Sequence, residues 1–347
     1  PTVLLNQEPW SHRRLVNRRA GRDTDQGGWM AWRYMRCCMG LLVVCGLLHT
    51  TPVDARDVRV GTWKTAQTIQ PFYYEQFLPP GMHCRVFPFT NPADQKTALL
   101  AGSLDMCGTT LAHAIHSAAS AQPVVLVAAL CNKCSALAVQ VDGPVKQIPD
   151  LRGKKIGYVP GTMHEILLRE TLTRNNLSPE TDVRLTRVDF FDMGLALARG
   201  GIDAFLSGEP FPTLAQVQGY GRILAYPYYG ESIGTINAGM LVTRAMVAKH
   251  PDLVFELVKA HVRSTTYLNA HSREWLKRAS GFGTPLAVLE KAAQNMELAW
   301  MMDERFVARA RALGERMQAL GVIDQQPDYD HLFNLEFVRK VRSQLNP

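Results

Sequence analysis

The chain has 347 residues, enough for two ordinary domains and a sizeable core. Its 46% apolar and 20% charged content exclude a disordered chain. The formal charge is +7, but beyond residue 55 it falls to +4, with 31 Lys and Arg against 27 Asp and Glu and no long basic run, so there is no footprint for nucleic acid.

Residues 37–48 read CCMGLLVVCGLL, uncharged throughout, preceded by Arg33 and Arg36 and followed by TPVDA. This is the pattern of an export signal, with cleavage expected after Ala55 and a periplasmic product. The run is shorter than the about 20 apolar residues a membrane span wants. The segment LVVC ahead of Gly46 lacks the small residue expected before a lipidated cysteine, so a lipid anchor is not the expectation. Met30 or Met35 is the expected natural start, with the preceding residues expected to be an over-long reading of the gene. Of the seven cysteines, Cys37, Cys38 and Cys45 belong to the signal, and Cys84, Cys107, Cys131 and Cys134 remain. An even number in an oxidising compartment permits disulfides.

From Asp57 the chain alternates. DVRVGTW reads as a strand, PFYYEQFL as a helical run, HCRVFPF as a strand, ADQKTALLAG as a helix, and SLDMCGT as a strand ending in small residues. TLAHAIHSAA suits a helix and VVLVAAL a fully buried strand. After VDGPV a second series begins. KKIGYV reads as a strand closed by Pro160-Gly161, with a helix from Met163 towards Thr173. DVRLTRVDF reads as a strand, MGLALARG as a helix and IDAFLSG as a strand. Such alternation predicts parallel βαβ units.

The two series repeat each other. ALLAGSLDMCG aligns with ALARGGIDAFLSG at a shift of 98, pairing Ala98 with Ala196, Gly102 with Gly200 and Asp105 with Asp203. Two similar α/β lobes are expected. From His250 the chain reads as helical. Thr284 and Pro285 are expected to start a helix through GTPLAVLEKAAQNMELAW, and Gly321 to end the one formed by DERFVARARALGERMQAL.

In open α/β sheets, ligands sit outside the carboxyl ends of the strands. That rule selects Trp63 and Lys64, then Cys107, Gly108, Thr109 and Thr110, then Cys131, Asn132 and Cys134. In the second series it selects Gly161, Thr162, Met163 and His164, then Gly208, Glu209 and Pro210. Thr162–Glu165 reads as a capping box. It either simply starts a helix or lends its amides to an anionic or polar ligand group. His164 is a candidate contact, and Glu209 could accept from a ligand or from the opposite lobe.

Cys131 and Cys134 form a Cys-x-x-Cys pair. A redox enzyme wants a helix at the first cysteine, whereas SALAVQV after Cys134 alternates like a strand. A structural zinc site usually wants two such pairs. A disulfide or plain packing is the favoured reading. The alternative is an exported soft-metal or thiol-dependent protein using Cys107, Cys131, Cys134 and His164. No Walker loop, H-E-x-x-H, G-x-S-x-G or G-x-G-x-x-G is present.

The stretches ALLAGSLDMCGTT, DLRGKKIGYVPGT and GEPF…GYGRIL, with the export signal, resemble the substrate-binding proteins of ABC importers. The closest branch handles nitrate, sulfonates, taurine and thiamine pyrimidine precursors. The resemblance covers about residues 57–270. It implies a type II clamshell, not an enzyme and without cofactor, working as a monomer. Residues 56–141 and 240–347 would form lobe one and 142–239 lobe two, with crossings near Val141 and Ala238. The chain would deliver a small polar or anionic organic solute to an inner-membrane permease by cleft closure. Trp63, Thr109, Asn132, Ser135, Thr162, Glu209 and Asn237 would face the cleft. The cysteines at 107, 131 and 134 depart from the branch and place CNKC in, or just beneath, the pocket.

Overall fold

A computed structural model describes residues 56–230 and 234–345. The expected leader, signal and cleavage site lie outside the described residues. Two sheets organise the rest. The first contains β1 (Arg56–Trp63), β2 (Met82–Phe89), β3 (Met106–Thr110) and β4 (Val124–Lys133). The second contains β5 (Ser135–Gln140), β6 (Lys155–Tyr158), β7 (Arg184–Arg187), β8 (Ala204–Gly208) and β9 (Gly221–Ala225). The chain then returns to the first sheet as β10 (Ile236–Thr243) and β11 (Met296–Leu298). The strand orders are β11-β4-β10-β3-β1-β2 and β7-β6-β8-β5-β9.

Each sheet has a parallel core with antiparallel strands, β10 and β11 in the first and β5 in the second. β1 pairs in parallel with β2 and β3, and β6 with β7 and β8. β10 runs antiparallel to β3 and β4, and β5 antiparallel to β8 and β9. The exchange of β10 and β5 between the two halves gives the α/β periplasmic-binding fold with C-terminal helices. Burial follows the sequence pattern: VVLVAAL in β4 is buried on both faces, as an interior strand covered by helices requires.

The internal repeat is structural. The Asp105 carboxylate accepts from the Arg59 amide at 2.8 Å, joining the strand entry of β3 to β1. The Asp203 carboxylate accepts from the Lys155 amide at the same 2.8 Å, joining β8 to β6. The preceding turns match as well: Gly102 and Gly200 have φ of +75° and +70°, which glycine adopts without a Cβ clash. A charge-assisted bond at each lobe's central strand pair is worth about 1.5–3 kcal/mol.

The passage between the sheets differs from the sequence reading. It falls at Lys133–Cys134–Ser135, not near Val141, and the return is complete before Ile236. SALAVQ is therefore a strand of the second sheet, although its apolar pattern runs on from β4 with no breaker residue between. The break is made by conformation, with φ of +58° at Lys133 and +67° at Cys134. The C-terminal reading also changes. The expected helix through GTPLAVLEKAAQNMELAW stops at Ala292, and MEL becomes β11 on the edge of the first sheet. Pro285, not Thr284, takes the cap position. The helices Pro251–Ala270 and Glu304–Ala319 form as expected, and Gly321 follows the second with φ of +67°.

Candidate ligand-binding cleft

The carboxyl ends of β1, β3, β4 and β8 meet the return strand β10 around one cavity. Its wall includes Trp63, Gln67, Thr110, Cys131, Cys134, His164, Phe190, Phe211 and Asn237. Six of these come from the sequence reading. The volume is about 40 Å³, room for a few waters at roughly 10–15 Å³ each. A cavity that holds benzene is about 150 Å³, so this cavity as it stands is too small for a ring-sized solute.

The lining is aromatic and uncharged. Trp63 ends β1 and is 7% exposed, and its indole Nε1 has no hydrogen-bond partner. Gln67, in the turn after β1, likewise leaves Oε1 unpartnered. From the second half, the His164 ring stands edge-on to Phe190 at 5.4 Å, and Phe191 edge-on to Phe211 at 5.0 Å. A Cβ at Gly208 would lie 3.1 Å from His164 Nε2 and 3.4 Å from Gln67 Nε2, so the glycine keeps this corner open. No Lys, Arg, Asp or Glu lines the cavity. Lys64 instead lines a second, outer cavity of about 230 Å³ that shares Phe191 and Phe211.

His164 is fixed by Ser135, whose Oγ lies 3.0 Å from Nδ1. Burial pushes its pKa down to about 3, so the ring is neutral at physiological pH. The Ser135 hydroxyl is fully buried, and the cavity wall is formed by the histidine rather than by the serine. Thr110 caps the helix Leu111–Ala119 by accepting from the His113 amide at 3.2 Å. Thr162 caps its helix as expected, but Glu165 reaches back to Gly161 and so does not complete the expected capping box. Thr162 Oγ1 accepts from the Glu165 amide at 3.4 Å, and Glu165 accepts from the Gly161 amide at 2.7 Å. That polar set serves the helix Met163–Arg174.

Several candidates stand elsewhere. Asn132 points away from Cys131, as alternate strand residues do, and donates to Glu297 on β11 at 3.0 Å. Cys107 and Met163 are fully buried in the core. Thr109 is also buried, bonded only to the neighbouring Thr110 carbonyl. Gly161, with φ of +73°, lines a surface groove with His116 and Arg169. Glu209 lies behind the cavity wall. It accepts from the Thr213 amide at 3.2 Å and from Asn295 of the opposite half at 3.4 Å. Burial raises its pKa to about 7.

The four cysteines are free thiols, so the expected disulfide is not formed. Among the described residues no group of three His, Cys, Asp or Glu is placed to hold a metal. Cys131 and Cys134 line the same cavity, and Cys134 Sγ accepts from Asn237 Nδ2 at 3.2 Å. Phe190, Phe191, Phe211 and Gln67 were missed, although the strand-end rule carried a few residues past β7, β8 and β1 reaches all four.

Two sheets exchanging antiparallel strands around an interposed cavity define the periplasmic-binding fold, and solved structures agree. The ligand-binding component of an ABC-type import system from Staphylococcus aureus, solved with zinc bound, superposes with a TM-score of 0.73 at 16% identity, over 82% of this chain and 99% of that one. The alkanesulfonate-binding protein of Xanthomonas axonopodis pv. citri, bound to MOPS, gives 0.72 at 19% identity, over 80% and 98%. At the level of sequence, residues 76–274 match the family described as NMT1/THI5 like, and the chain belongs to that family. An aliphatic sulfonates-binding protein of Escherichia coli (strain K12) is 30% identical over 162 residues, 42% of this chain and 50% of that protein. The chain spans half or less of the length of the curated relatives it matches.

Proposed function

We propose that this chain is the periplasmic solute-binding component of an ABC-type importer, working by capture rather than catalysis. It encloses a small organic solute between the two sheets and presents the closed form to a permease in the inner membrane. The carrying observation is the cavity at the strand ends, walled from one half by Trp63 and from the other by Phe190, Phe211 and His164.

The chemistry of the wall narrows the solute. An anion held in a buried site needs a cation or several free amides to offset its desolvation. The inner wall supplies neither Lys nor Arg, and the neighbouring helix start already holds the Glu165 carboxylate, which takes the Gly161 amide. This argues against the anionic half of the sequence expectation. The buried part of the solute is instead uncharged and flat, packed between aromatic faces, which is worth about 0.5–1.5 kcal/mol per ring pair beyond burial. It presents an acceptor to the Trp63 N–H and a donor towards Gln67 Oε1.

Isothermal titration against uncharged heteroaromatic amides, an alkanesulfonate and nitrate tests this. Binding is expected from the first class and its loss in Trp63→Ala. Tight binding of nitrate or the sulfonate with no response to the first class would contradict it.

A further inference from the structure

The Cys-x-x-Cys pair sits where the chain passes from one sheet to the other. Cys131 is on the last turn of β4, Cys134 is the crossing residue, and each is 2% exposed on the cavity wall. Lys133 and Cys134 both hold positive φ. Non-glycine residues in that region are strained, and the strain persists only where neighbours impose it. Here the neighbours are explicit. The Lys133 amide donates to the Thr235 carbonyl at 2.6 Å, the Cys134 amide to Asn295 at 2.7 Å, and the Glu209 amide to the Cys134 carbonyl at 2.7 Å. The resulting turn keeps Cys134 on the same cavity wall as Cys131.

We propose that Cys131 and Cys134 form a reversible disulfide that latches this crossing in its turned conformation and so holds the cleft closed. The proposal rests on reading the two sheets as lobes that part and close. A disulfide needs Cα atoms within about 7 Å. Three residues of extended chain span roughly 10 Å, at about 3.3 Å each, so a crossing that straightens on opening cannot carry the bond.

The oxidant is a small disulfide such as oxidised glutathione. One protein thiolate attacks it, an S–S bond to glutathione forms, and the first glutathione thiolate leaves. The second cysteine then attacks the protein sulfur of that mixed disulfide and expels the second glutathione. Both protein protons end on the two glutathiones, so one dithiol and one oxidised glutathione become one protein disulfide and two thiols. The neighbouring Cys131 thiol and burial together raise the Cys134 thiol above its ordinary range, so reaction waits for an opening that admits the oxidant, and closure completes the second step. Cys107 and Cys84 stand outside the cavity wall and do not compete.

The test treats the full chain, without added solute, with oxidised glutathione and then alkylates the remaining thiols. Peptide mapping is expected to show a loss of two hydrogens and a Cys131–Cys134 link, reversed by dithiothreitol. Hydrogen exchange at 106–110 and 204–208 is expected to slow by about tenfold or more in the oxidised form, and to be unaffected by oxidant in Cys131→Ser and Cys134→Ser. A persistent glutathione adduct, a link through Cys84 or Cys107, or a correct link with unchanged exchange overturns the latch. No solute enters these readouts. A chain that binds nothing in the titration panel leaves the latch standing, and thiols that never pair leave solute binding standing.

Discussion

Asn237 Nδ2 donates to the Lys133 carbonyl at 2.7 Å, tying the strand that re-enters the first sheet to the residue at which the chain leaves it. Both passages between the halves are thus joined by one amide, which also reaches Cys134 Sγ. Asn237→Ala leaves the carbonyl without its donor and is expected to cost about 1–3 kcal/mol in urea unfolding. Asn237→Asp, which keeps the shape but has no donor, is expected not to restore it. A variant as stable as the parent would remove this tie from the account.

Glu209 gives a pH signature. Its folded pKa is raised by burial to about 7 from 4.5, so between these values the folded state binds more protons than the unfolded one. Its contribution to stability therefore falls as pH rises through that window, by about 3 kcal/mol in all. His113, His164 and His261 act oppositely. Burial lowers them to about 4, 3 and 4, so stability is lost as pH falls below 6.5. The difference between Glu209→Gln and the parent isolates the carboxyl: the variant should gain relative stability from pH 4.5 to 7 and no more above it. A flat difference would contradict the burial argument.

Across the back of the cleft, Glu170 of the helix Met163–Arg174 accepts from Arg174 at 2.6 Å and from Arg316 of the helix Glu304–Ala319. The carboxylate is nearly buried and the second bond joins the two halves. Arg316→Ala is expected to cost about 1.5–3 kcal/mol and to enlarge the radius of gyration in solution scattering. An unchanged radius would mean that this pair does not hold the halves together.

Trp63 carries two separable roles. Trp63→Phe keeps an aromatic face and loses the N–H, so solute affinity should fall by about 0.5–1.5 kcal/mol, roughly two- to tenfold. Trp63→Ala loses the face as well and should fall further. Titration of both variants with the same solute separates the roles, and an unchanged affinity in Trp63→Phe would show that the N–H makes no bond.

Much of this was legible. The pairing of Asp105 with Asp203 read out two lobes because each carboxylate performs the same clip on its central strands. Trp63, Thr110, Cys131, Cys134 and His164 were reached because strand ends are where a sheet exposes side chains to a ligand, and Asn237 was reached through the family resemblance. Asn132 failed for a simple reason: adjacent strand residues face opposite ways. The crossing at Cys134 was hidden because its break is a backbone conformation with no glycine or proline to announce it. β11 was hidden because MEL is three residues long and gains its strand character only by pairing with β4.

The most direct measurement is native mass spectrometry of the protein taken from an exporting host, beside its denatured mass. The account predicts a retained, non-covalent organic molecule without net charge, released on denaturation and absent from Trp63→Ala. A retained metal removed by chelator, or a retained oxyanion, would contradict it.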